Sequence, residues 1–483
     1  MRKIFFIAIL LNITITSSVN VAAEVSAYNV REQLKMMAGK VASNSKSESN
    51  QNSYLSDICH KDIEFLQQSI AKGEATAQYI LAGCYKSGLN VNKDQIHALD
   101  LYKKAAEQGL DYAQIGLSSY YLKGSLVAKD ETQGVSWLRK AAEQGNSGAQ
   151  LIMAAIYLNG QFNQTKNETE AIRWFQKAAE QGDTTAELSL GALYMVGRGI
   201  PKDKTLGLSW IRKAAEQGFA PAQTLLGKMY EVGKDISKDE TQAALWYGKA
   251  AEQGYAAAEL SLGTLYMVGR GIPKDKTLGL SWIRNAAEQG FAPAQTLLGK
   301  MYEGGKDISK DETQAALWYG KAAEQGDAFA QNNLGMMYSD GTGVPKDVSK
   351  SFAWLRKAAE QGNKSGQNNL GMSYRFGIGI AKDETQAVYW LRKAAEQGDA
   401  SAQYNLGAMY HDGTGVDRDT SKAFQWFSKA AEQGHADAQY RLGVMYFEGT
   451  GVARDTSLSL QWFKKSAEQG NSSAQEILKQ ISQ

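Results

Sequence analysis

The chain has 483 residues, of which 53 are basic and 51 acidic, and 43% are hydrophobic. The charge balance excludes the strongly basic surface that attracts nucleic acid or an anionic membrane. The hydrophobic fraction, together with only five prolines, excludes a disordered chain and favours a helical fold.

Residues 1–23 have the pattern of a secretory signal peptide. A basic start at Arg2 and Lys3 precedes a short apolar run, residues 4–11, and Ala23 ends a small-residue cleavage pattern. The run is too short to cross a bilayer easily, although a retained anchor is the alternative. We expect cleavage after Ala23, no membrane span in the mature chain, and a protein that is periplasmic or secreted.

Residues 24–56 are predicted to be a disordered tether. The stretch from Asn44 to Ser53 consists of Ser, Asn and Gln with two charges, and such a composition cannot bury a core.

Between residues 74 and 470 the sequence repeats every 36 residues, with one step of 37. Two adjacent stretches of two units each, residues 183–254 and 255–326, differ at only six positions. An active site gains nothing from such a copy, whereas a repeat array grows by it. Each of the eleven full units ends with a Glu-Gln-Gly junction, at Gly109, Gly145, Gly182, Gly218, Gly254, Gly290, Gly326, Gly362, Gly398, Gly434 and Gly470.

The unit from 399 to 434 illustrates the helix–turn–helix that the pattern predicts. Ala402, Leu406 and Met409 recur at helical spacing and predict the buried face of a first helix. Gly413 and Gly415 would end that helix, because glycine readily adopts the left-handed conformation.

The second helix of the same unit is predicted to begin after a capping residue, Asp419, and to bury Ala423, Trp426 and Ala430. In three other units a Gln follows the aspartate three residues later, which predicts a capping box. Those aspartates are Asp130, Asp239 and Asp311.

All ten tryptophans occupy one position of the repeat, and eleven tyrosines occupy another. A regular aromatic array could stack the bases of a single-stranded nucleic acid, but no basic groove accompanies this one. We therefore predict that the tryptophans pack in the core and that nucleic acid is not a partner.

The unit resembles the Sel-1-like repeat, a relative of the tetratricopeptide repeat, through the pattern A-x-A-Q-x-x-L-G-x-M-Y-x-x-G-x-G-V-x-x-D followed by A-x-x-W-x-x-K-A-A-E-Q-G. The resemblance covers residues 74–470. It implies an all-α fold, a right-handed α/α superhelical solenoid of tandem 36-residue repeats whose first helices line the inner curve. It also implies a scaffold or adaptor for other proteins, in exported bacterial forms often at the cell envelope or a host interface.

The two ends of the array differ from the internal units. Residues 57–73 have the pattern of a second helix without its first, and residues 471–483 that of a first helix without its second. We predict an N-terminal and a C-terminal capping helix there, because a solenoid must cover its terminal apolar faces.

No catalytic or metal-binding motif stands out. The histidines at 60, 97, 411 and 435 lack metal-ligand spacing, so we predict no metal and no cofactor. A cysteine-rich branch of the same family has been linked to penicillin binding and β-lactam hydrolysis, chemistry that combines Ser-x-x-Lys with further motifs. Two such matches, beginning at Ser43 and Ser69, lack those partners. We predict no enzyme; an envelope enzyme of that type and a purely structural spacer are the alternatives.

The exposed stripe of the first helices is the candidate surface for a protein or peptide partner. Counting from the residue after each junction glycine, so that Asp399 is position 1, the stripe comprises positions 3, 7, 10 and 14. In the last four repeats position 7 reads Asn, Asn, Asn, Arg, and these side chains could pair with an extended peptide backbone. Two apolar neighbours could add anchors; the alternative is an ordinary solvated helix face. The predicted groove residues are Asn333, Asn369, Asn405, Arg441, Met372 and Phe376.

Cys59 and Cys84 are the only cysteines. We predict a disulfide between them, because export would place them in an oxidising compartment and the two ends of adjacent antiparallel helices that carry them lie side by side. Two buried free thiols are the alternative.

Overall fold

The computed structural model describes Cys59 and residues 63–481. The predicted signal peptide and tether therefore lie outside the described residues. The described part contains 24 α-helices and no strand, and consecutive helices pack pairwise as tandem repeats. The predicted fold class, an all-α solenoid of helix–turn–helix repeats, is confirmed.

The described residues form two compact units, which divide between Gln253 and Gly254. Helices of the first unit alternate between second helices, with odd numbers, and first helices, with even numbers. They are α1 (Ile63–Ala71), α2 (Ala75–Ser87), α3 (Gln95–Glu107), α4 (Asp111–Lys123), α5 (Glu131–Glu143), α6 (Ser147–Asn159), α7 (Glu168–Glu180), α8 (Thr184–Val196), α9 (Lys204–Glu216), α10 (Ala220–Val232) and α11 (Glu240–Ala251).

The second unit continues the same alternation. Its helices are α12 (Ala256–Val268), α13 (Lys276–Glu288), α14 (Ala292–Gly304), α15 (Glu312–Glu324), α16 (Ala328–Asp340), α17 (Val348–Glu360), α18 (Lys364–Phe376), α19 (Glu384–Glu396), α20 (Ala400–Asp412), α21 (Thr420–Glu432), α22 (Ala436–Glu448), α23 (Thr456–Glu468) and α24 (Ser472–Ile481).

Two glycines shape the turn within a repeat, as predicted. Gly413 ends α20 with a φ of 71°, and its N–H donates to the carbonyl of Met409. Gly415, with a φ of 68°, lies against the preceding repeat, where a Cβ would collide with the backbone carbonyl of Glu384. The second glycine therefore permits close approach of neighbouring repeats as well as the turn.

An aspartate caps each second helix from α3 to α23 except α7, where Asn167 is the cap. The predicted capping box forms only in half. The N–H of Gln133 donates to Asp130 Oδ1 at 2.9 Å. The N–H of Asp130, which the glutamine side chain would have accepted, instead donates to the carbonyl of Tyr121 at 3.0 Å. The predicted bond from the Asp130 N–H to the glutamine side chain is therefore wrong, because the backbone of the preceding helix already accepts that N–H.

The core of each repeat lies one residue beyond the position predicted for the second helix. Ala402, Leu406 and Met409 are fully buried as expected. Trp426 is only half-buried, whereas the next residue, Phe427, is 1% exposed. The same holds along the array, where the residue after each tryptophan is at most 3% exposed: Leu138, Phe175, Ile211, Tyr247, Ile283, Tyr319, Leu355, Leu391, Phe427 and Phe463.

The tryptophans cover the edge of the core. Only Trp174, Trp246 and Trp318 are buried, and the other seven are half-buried. In the described part, nine of the ten carry the ammonium of the lysine three residues later over the ring; Lys429 Nζ lies 4.2 Å from the Trp426 centroid. The exception is Trp282, where Asn285 replaces lysine. Each of these nine rings thus combines apolar packing at the edge of the core with contact to a cation.

Glutamine side chains link the two helices of a repeat and also link that repeat to the preceding one. Gln433 Nε2 donates to Gln403 Oε1 at 2.7 Å, and Gln403 Nε2 donates to the buried carbonyl of Ala395 at 3.1 Å. These bonds connect the Gln of one Glu-Gln-Gly junction with the Gln of the preceding first helix. A buried side-chain amide that is left unpaired is costly, so the pair fixes the register within a repeat and the bond to Ala395 fixes the register between repeats.

A disulfide crosslinks the N-terminal end of the described array. Cys59 and Cys84 are joined, with Cα atoms 5.8 Å apart, and both side chains are fully buried. Asn90 Nδ2 donates to the carbonyl of Cys59 at 3.0 Å. The predicted disulfide is therefore present, and it ties the residues before α1 to the end of α2.

Candidate partner-binding surface

The six predicted groove residues all lie on first helices of the second unit. Asn333 is on α16, Asn369 on α18 and Asn405 on α20, and all three are half-buried. Arg441 on α22 is exposed. The two apolar residues, Met372 and Phe376, lie further along α18.

The asparagines are linked by a continuous chain of side-chain hydrogen bonds, which we call the amide ladder. Its members are Asn332, Asn333, Asn368, Asn369 and Asn405. Asn405 Nδ2 donates to Asn368 Oδ1 at 3.0 Å, and Asn368 Nδ2 donates to Asn369 Oδ1 at 3.2 Å. Asn369 Nδ2 donates to Asn332 Oδ1 at 2.9 Å, and Asn332 Nδ2 donates to Asn333 Oδ1 at 3.1 Å. The ladder thus spans three consecutive first helices with every donor directed the same way.

The ladder ends on a tyrosine and a carboxylate. Asn333 hydrogen-bonds to the Tyr319 hydroxyl, which donates to Glu303 Oε2 at 2.7 Å. Burial, and then the adjacent Glu303, raises the pKa of Tyr319 above its ordinary value, so the hydroxyl stays protonated and can donate. A negative acceptor at one end polarises the whole chain of amides in one direction.

Sequence reasoning missed Asn332 and Asn368, the two members that bridge between helices. Asn332 is 6% exposed, and both lie at position 6 rather than on the predicted stripe. The Asn-Asn doublets at 332–333 and 368–369, one repeat apart, were the available signal. Their pairing was not evident because the bonds join helices 37 residues apart.

Each position-7 amide keeps part of its bonding capacity. A primary amide has two N–H donors and two acceptor lone pairs. Asn369 gives one N–H to Asn332 and accepts one bond from Asn368. One N–H and one lone pair therefore remain on this half-buried side chain, which is the complement that a peptide unit requires.

Arg441 does not continue the ladder. Position 6 changes from Asn to Tyr404 on α20, and this ring stacks on His435 at a centroid distance of 4.8 Å. Without an amide at position 6, no bridge to α22 can form. Arg441 has no ion pair or hydrogen bond among the described residues, and its exposed guanidinium extends the stripe as a free positive charge.

The apolar side chains that flank the ladder differ in how far they are exposed. Phe376 is 60% exposed and Phe329 47%, and the guanidinium of Arg375 lies 5.3 Å from the Phe376 centroid. Met372, predicted as an anchor, is partly buried and packs against the core of its unit. The most exposed apolar side chains beside the ladder are therefore aromatic, and Met336 is exposed to a lesser extent, at 36%.

In the described part of the chain, the histidines and the Ser-x-x-Lys matches do not come together in a catalytic or metal-binding arrangement. His411 Nδ1 lies 2.8 Å from Asp412 Oδ1, and His435 accepts the N–H of Ala438 as the cap of α22. Burial lowers the pKa of His435. Ser69 is 3% exposed and is not presented to a substrate, while Ser43 and His60 lie outside the described residues. No group of potential metal ligands occurs among the residues described.

None of the described helices combines the length and apolar character needed to cross a membrane.

Tandem helical pairs, joined by glutamine bonds and carrying a ladder on their first helices, define a repeat protein of the α-solenoid class. The Sel1 repeat model matches eleven consecutive segments of the chain, which therefore belongs to the Sel1 repeat family. The segments are 75–110, 111–146, 147–183, 184–219, 220–255, 256–291, 292–327, 328–363, 364–399, 400–435 and 436–471.

Solved structures of the same class resemble the chain. A protective antigen present in uropathogenic Escherichia coli strains, described as displaying an SLR fold, is 36% identical over 87% of this chain and 90% of its own, with a TM-score of 0.64. A Sel1 repeat protein from Oxalobacter formigenes is also 36% identical, over 64% of this chain and 90% of its own, with a TM-score of 0.48. No curated protein matches the chain.

Proposed function

We propose that this protein is an exported, non-catalytic scaffold that binds a protein or peptide partner along the position-7 stripe of α16, α18, α20 and α22. The amide ladder is the observation that carries the proposal. It holds Asn333, Asn369 and Asn405 in one orientation and leaves at least half of the hydrogen-bonding capacity of each amide open. Side chains that are already ordered lose little conformational entropy when a ligand binds.

The disulfide supports export to the periplasm or the medium. Disulfides persist in oxidising compartments and are rare in a reducing cytosol, and the only two cysteines of this chain are paired. The envelope or a host interface is accordingly the proposed place of action. A chromogenic β-lactam should not be hydrolysed by the purified protein, and measurable turnover would favour the envelope-enzyme alternative instead.

The test compares partner capture by three forms of the full chain. The groove variant changes Asn333, Asn369, Asn405 and Arg441 to Ala, and the control variant changes Ser189 and Ser261, the position-7 serines outside the ladder, to Ala. Crosslinking in envelope extract followed by mass spectrometry should recover a partner with the wild type and the control but not with the groove variant. A partner captured equally by all three forms would show that the stripe is only a solvated face.

A structural spacer is the second candidate, because residues 183–254 and 255–326 differ at only six positions. A near-identical copy adds length without a new surface. The deletion argued at the end of the Discussion separates the two functions.

A further inference from the structure

We propose that the ligand of the amide ladder is a polypeptide segment in the polyproline II conformation, with a residue that is not proline at every third position. The inference rests on the proposed function and names the class of partner. It follows from the spacing of the ladder, the facing of its amides and their remaining hydrogen-bonding groups.

The spacing of the ladder matches three residues of polyproline II. Asn369 bonds directly to Asn332, and Asn405 to Asn368, so successive position-7 amides stand one helix spacing apart. Packed helices lie roughly 8–10 Å apart. Three residues of polyproline II advance about 9 Å, at about 3.1 Å each.

The facing of the amides distinguishes this conformation from a β-strand. Polyproline II has three residues per turn, so every third residue returns to the same side. In a strand, alternate residues share a side; two residues advance only about 7 Å and four about 13 Å. A strand therefore cannot present one side to Asn333, Asn369 and Asn405 in succession, whereas a polyproline II segment presents every third residue to each.

The hydrogen-bonding groups match as well. The backbone of polyproline II makes no internal hydrogen bonds, so each third residue offers a free N–H and a free C=O. Those groups complement the lone pair and the N–H that remain on Asn369. Proline lacks the N–H and is excluded at these positions, but it suits the two positions between them.

The aromatic flank favours proline at the intervening positions. Phe329 and Phe376 are about half exposed or more, on α16 and α18 at either side of the ladder. Polyproline segments commonly dock their rings into aromatic-lined grooves and bind with little entropic loss because the conformation is preformed.

The test is a titration of fluorescent 12-residue peptides against the full chain by anisotropy. The probe repeats Pro-Pro-Ala four times. A second peptide carries N-methylalanine in place of each alanine, which replaces the N–H donor by an N-methyl group. A third alternates Val and Thr to favour an extended strand. We expect the first to bind at least tenfold more tightly than either of the others, and the groove variant to lose that advantage while the Ser189→Ala/Ser261→Ala control retains it.

The outcomes separate this inference from the proposed function. Equal binding of the first two peptides to the wild type would overturn the inference, and this comparison needs no variant that might misfold. Tighter binding of the Val-Thr peptide, lost in the groove variant, would overturn polyproline II recognition but leave a peptide-binding ladder. If no peptide binds, the polyproline II inference fails; if in addition the crosslinked partner is insensitive to the groove variant, the proposed function fails with it.

Discussion

Lys213 Nζ lies 2.9 Å from Glu187 Oε1, a carboxylate whose side chain is fully buried in the position that glutamine occupies in most repeats. In the duplicated stretch the same carboxylate recurs as Glu259, but Asn285 replaces the lysine. Gln289 Nε2 donates to Glu259 at 2.7 Å and is its remaining partner in the described part. Two nearly identical repeats thus differ in whether a buried charge is neutralised.

Glu259→Gln should stabilise the protein at neutral pH. Burial raises the pKa of Glu259, while the Gln289 hydrogen bond opposes that rise only partly. A carboxyl with a raised folded-state pKa stabilises the fold when protonated, and this contribution is lost as the pH rises through that pKa. We expect a melting temperature roughly 2–4 °C higher at pH 7, with the difference shrinking as the pH falls towards the ordinary range of a glutamate.

The matched control for that experiment is Glu187→Gln, which removes a carboxylate that forms an ion pair with Lys213. It should gain less than Glu259→Gln or lose stability, and Asn285→Lys should reproduce part of the gain. Differential scanning calorimetry of the three variants at pH 7 and pH 4.5 checks the prediction. Equal shifts at both pH values for Glu259→Gln would contradict it.

Gln403→Ala should destabilise the second unit by roughly 1–3 kcal/mol, the cost of two lost hydrogen bonds. The change removes the acceptor of Gln433 and one donor to the buried carbonyl of Ala395, which keeps the N–H of Gly398, and each lost bond costs about 0.5–1.5 kcal/mol. Gln475→Ala is the control, because Gln475 makes the same bond to Ala467 from an exposed position. Urea denaturation followed by circular dichroism should show a small effect there, below about 0.5 kcal/mol.

Local signals in the sequence predicted the ends of the helices well. Gly413 and Asp419 act through their own backbone conformation and nearby N–H groups, so a single repeat contains all the information that is needed. The buried face of the second helix was harder. Trp426 and Phe427 are both compatible with the stripe of Ala423 and Ala430, and the neighbouring repeats decide which of the two is enclosed.

In the candidate site, too, the features set within one repeat were predictable and those set between repeats were not. Asn333, Asn369 and Asn405 were predicted from periodicity alone, since they recur at one position of the repeat. The bridging role of Asn332 and Asn368 depends on the distance between separate helices, which periodicity does not contain. For the same reason Met372, although on the predicted stripe, packs inward, while Phe376 one turn later stays exposed.

Removing the disulfide should loosen the N-terminal end while the rest of the array stays folded. The bond between Cys59 and Cys84 spans a sequence separation of 25 residues, and closing a loop of this size stabilises by about 3 kcal/mol in the chain-entropy model. In a repeat array each unit contacts only its neighbours. Hydrogen exchange of Cys59→Ser/Cys84→Ser should therefore show faster exchange in α1 and α2, with α16–α22 unchanged; uniform loss of protection would contradict this.

Deleting residues 183–254 tests both the modular fold and the spacer function. The cut joins Gly182 to Tyr255 and removes two whole repeats, so a second helix is still followed by a first helix. The main local cost is a cap: Asp183 accepts the N–H groups of Thr185 and Ala186, whereas Tyr255 caps nothing with its side chain, a loss of about 1 kcal/mol. Stability in such arrays is approximately a sum over units and neighbouring interfaces, so the variant should stay soluble, with helical content reduced in proportion.

The control deletion, residues 183–236, removes one and a half repeats, so that the second helix α7 is followed directly by another second helix, α11. It should aggregate, because the apolar faces no longer alternate, and a soluble, helical product would argue against the modular fold. Binding then distinguishes the two functions. The amide ladder lies entirely within residues 332–405, so a local peptide site keeps its affinity in the 183–254 deletion, measured by the same anisotropy titration. A spacer instead loses activity in proportion to the missing length, whatever its affinity for a short peptide.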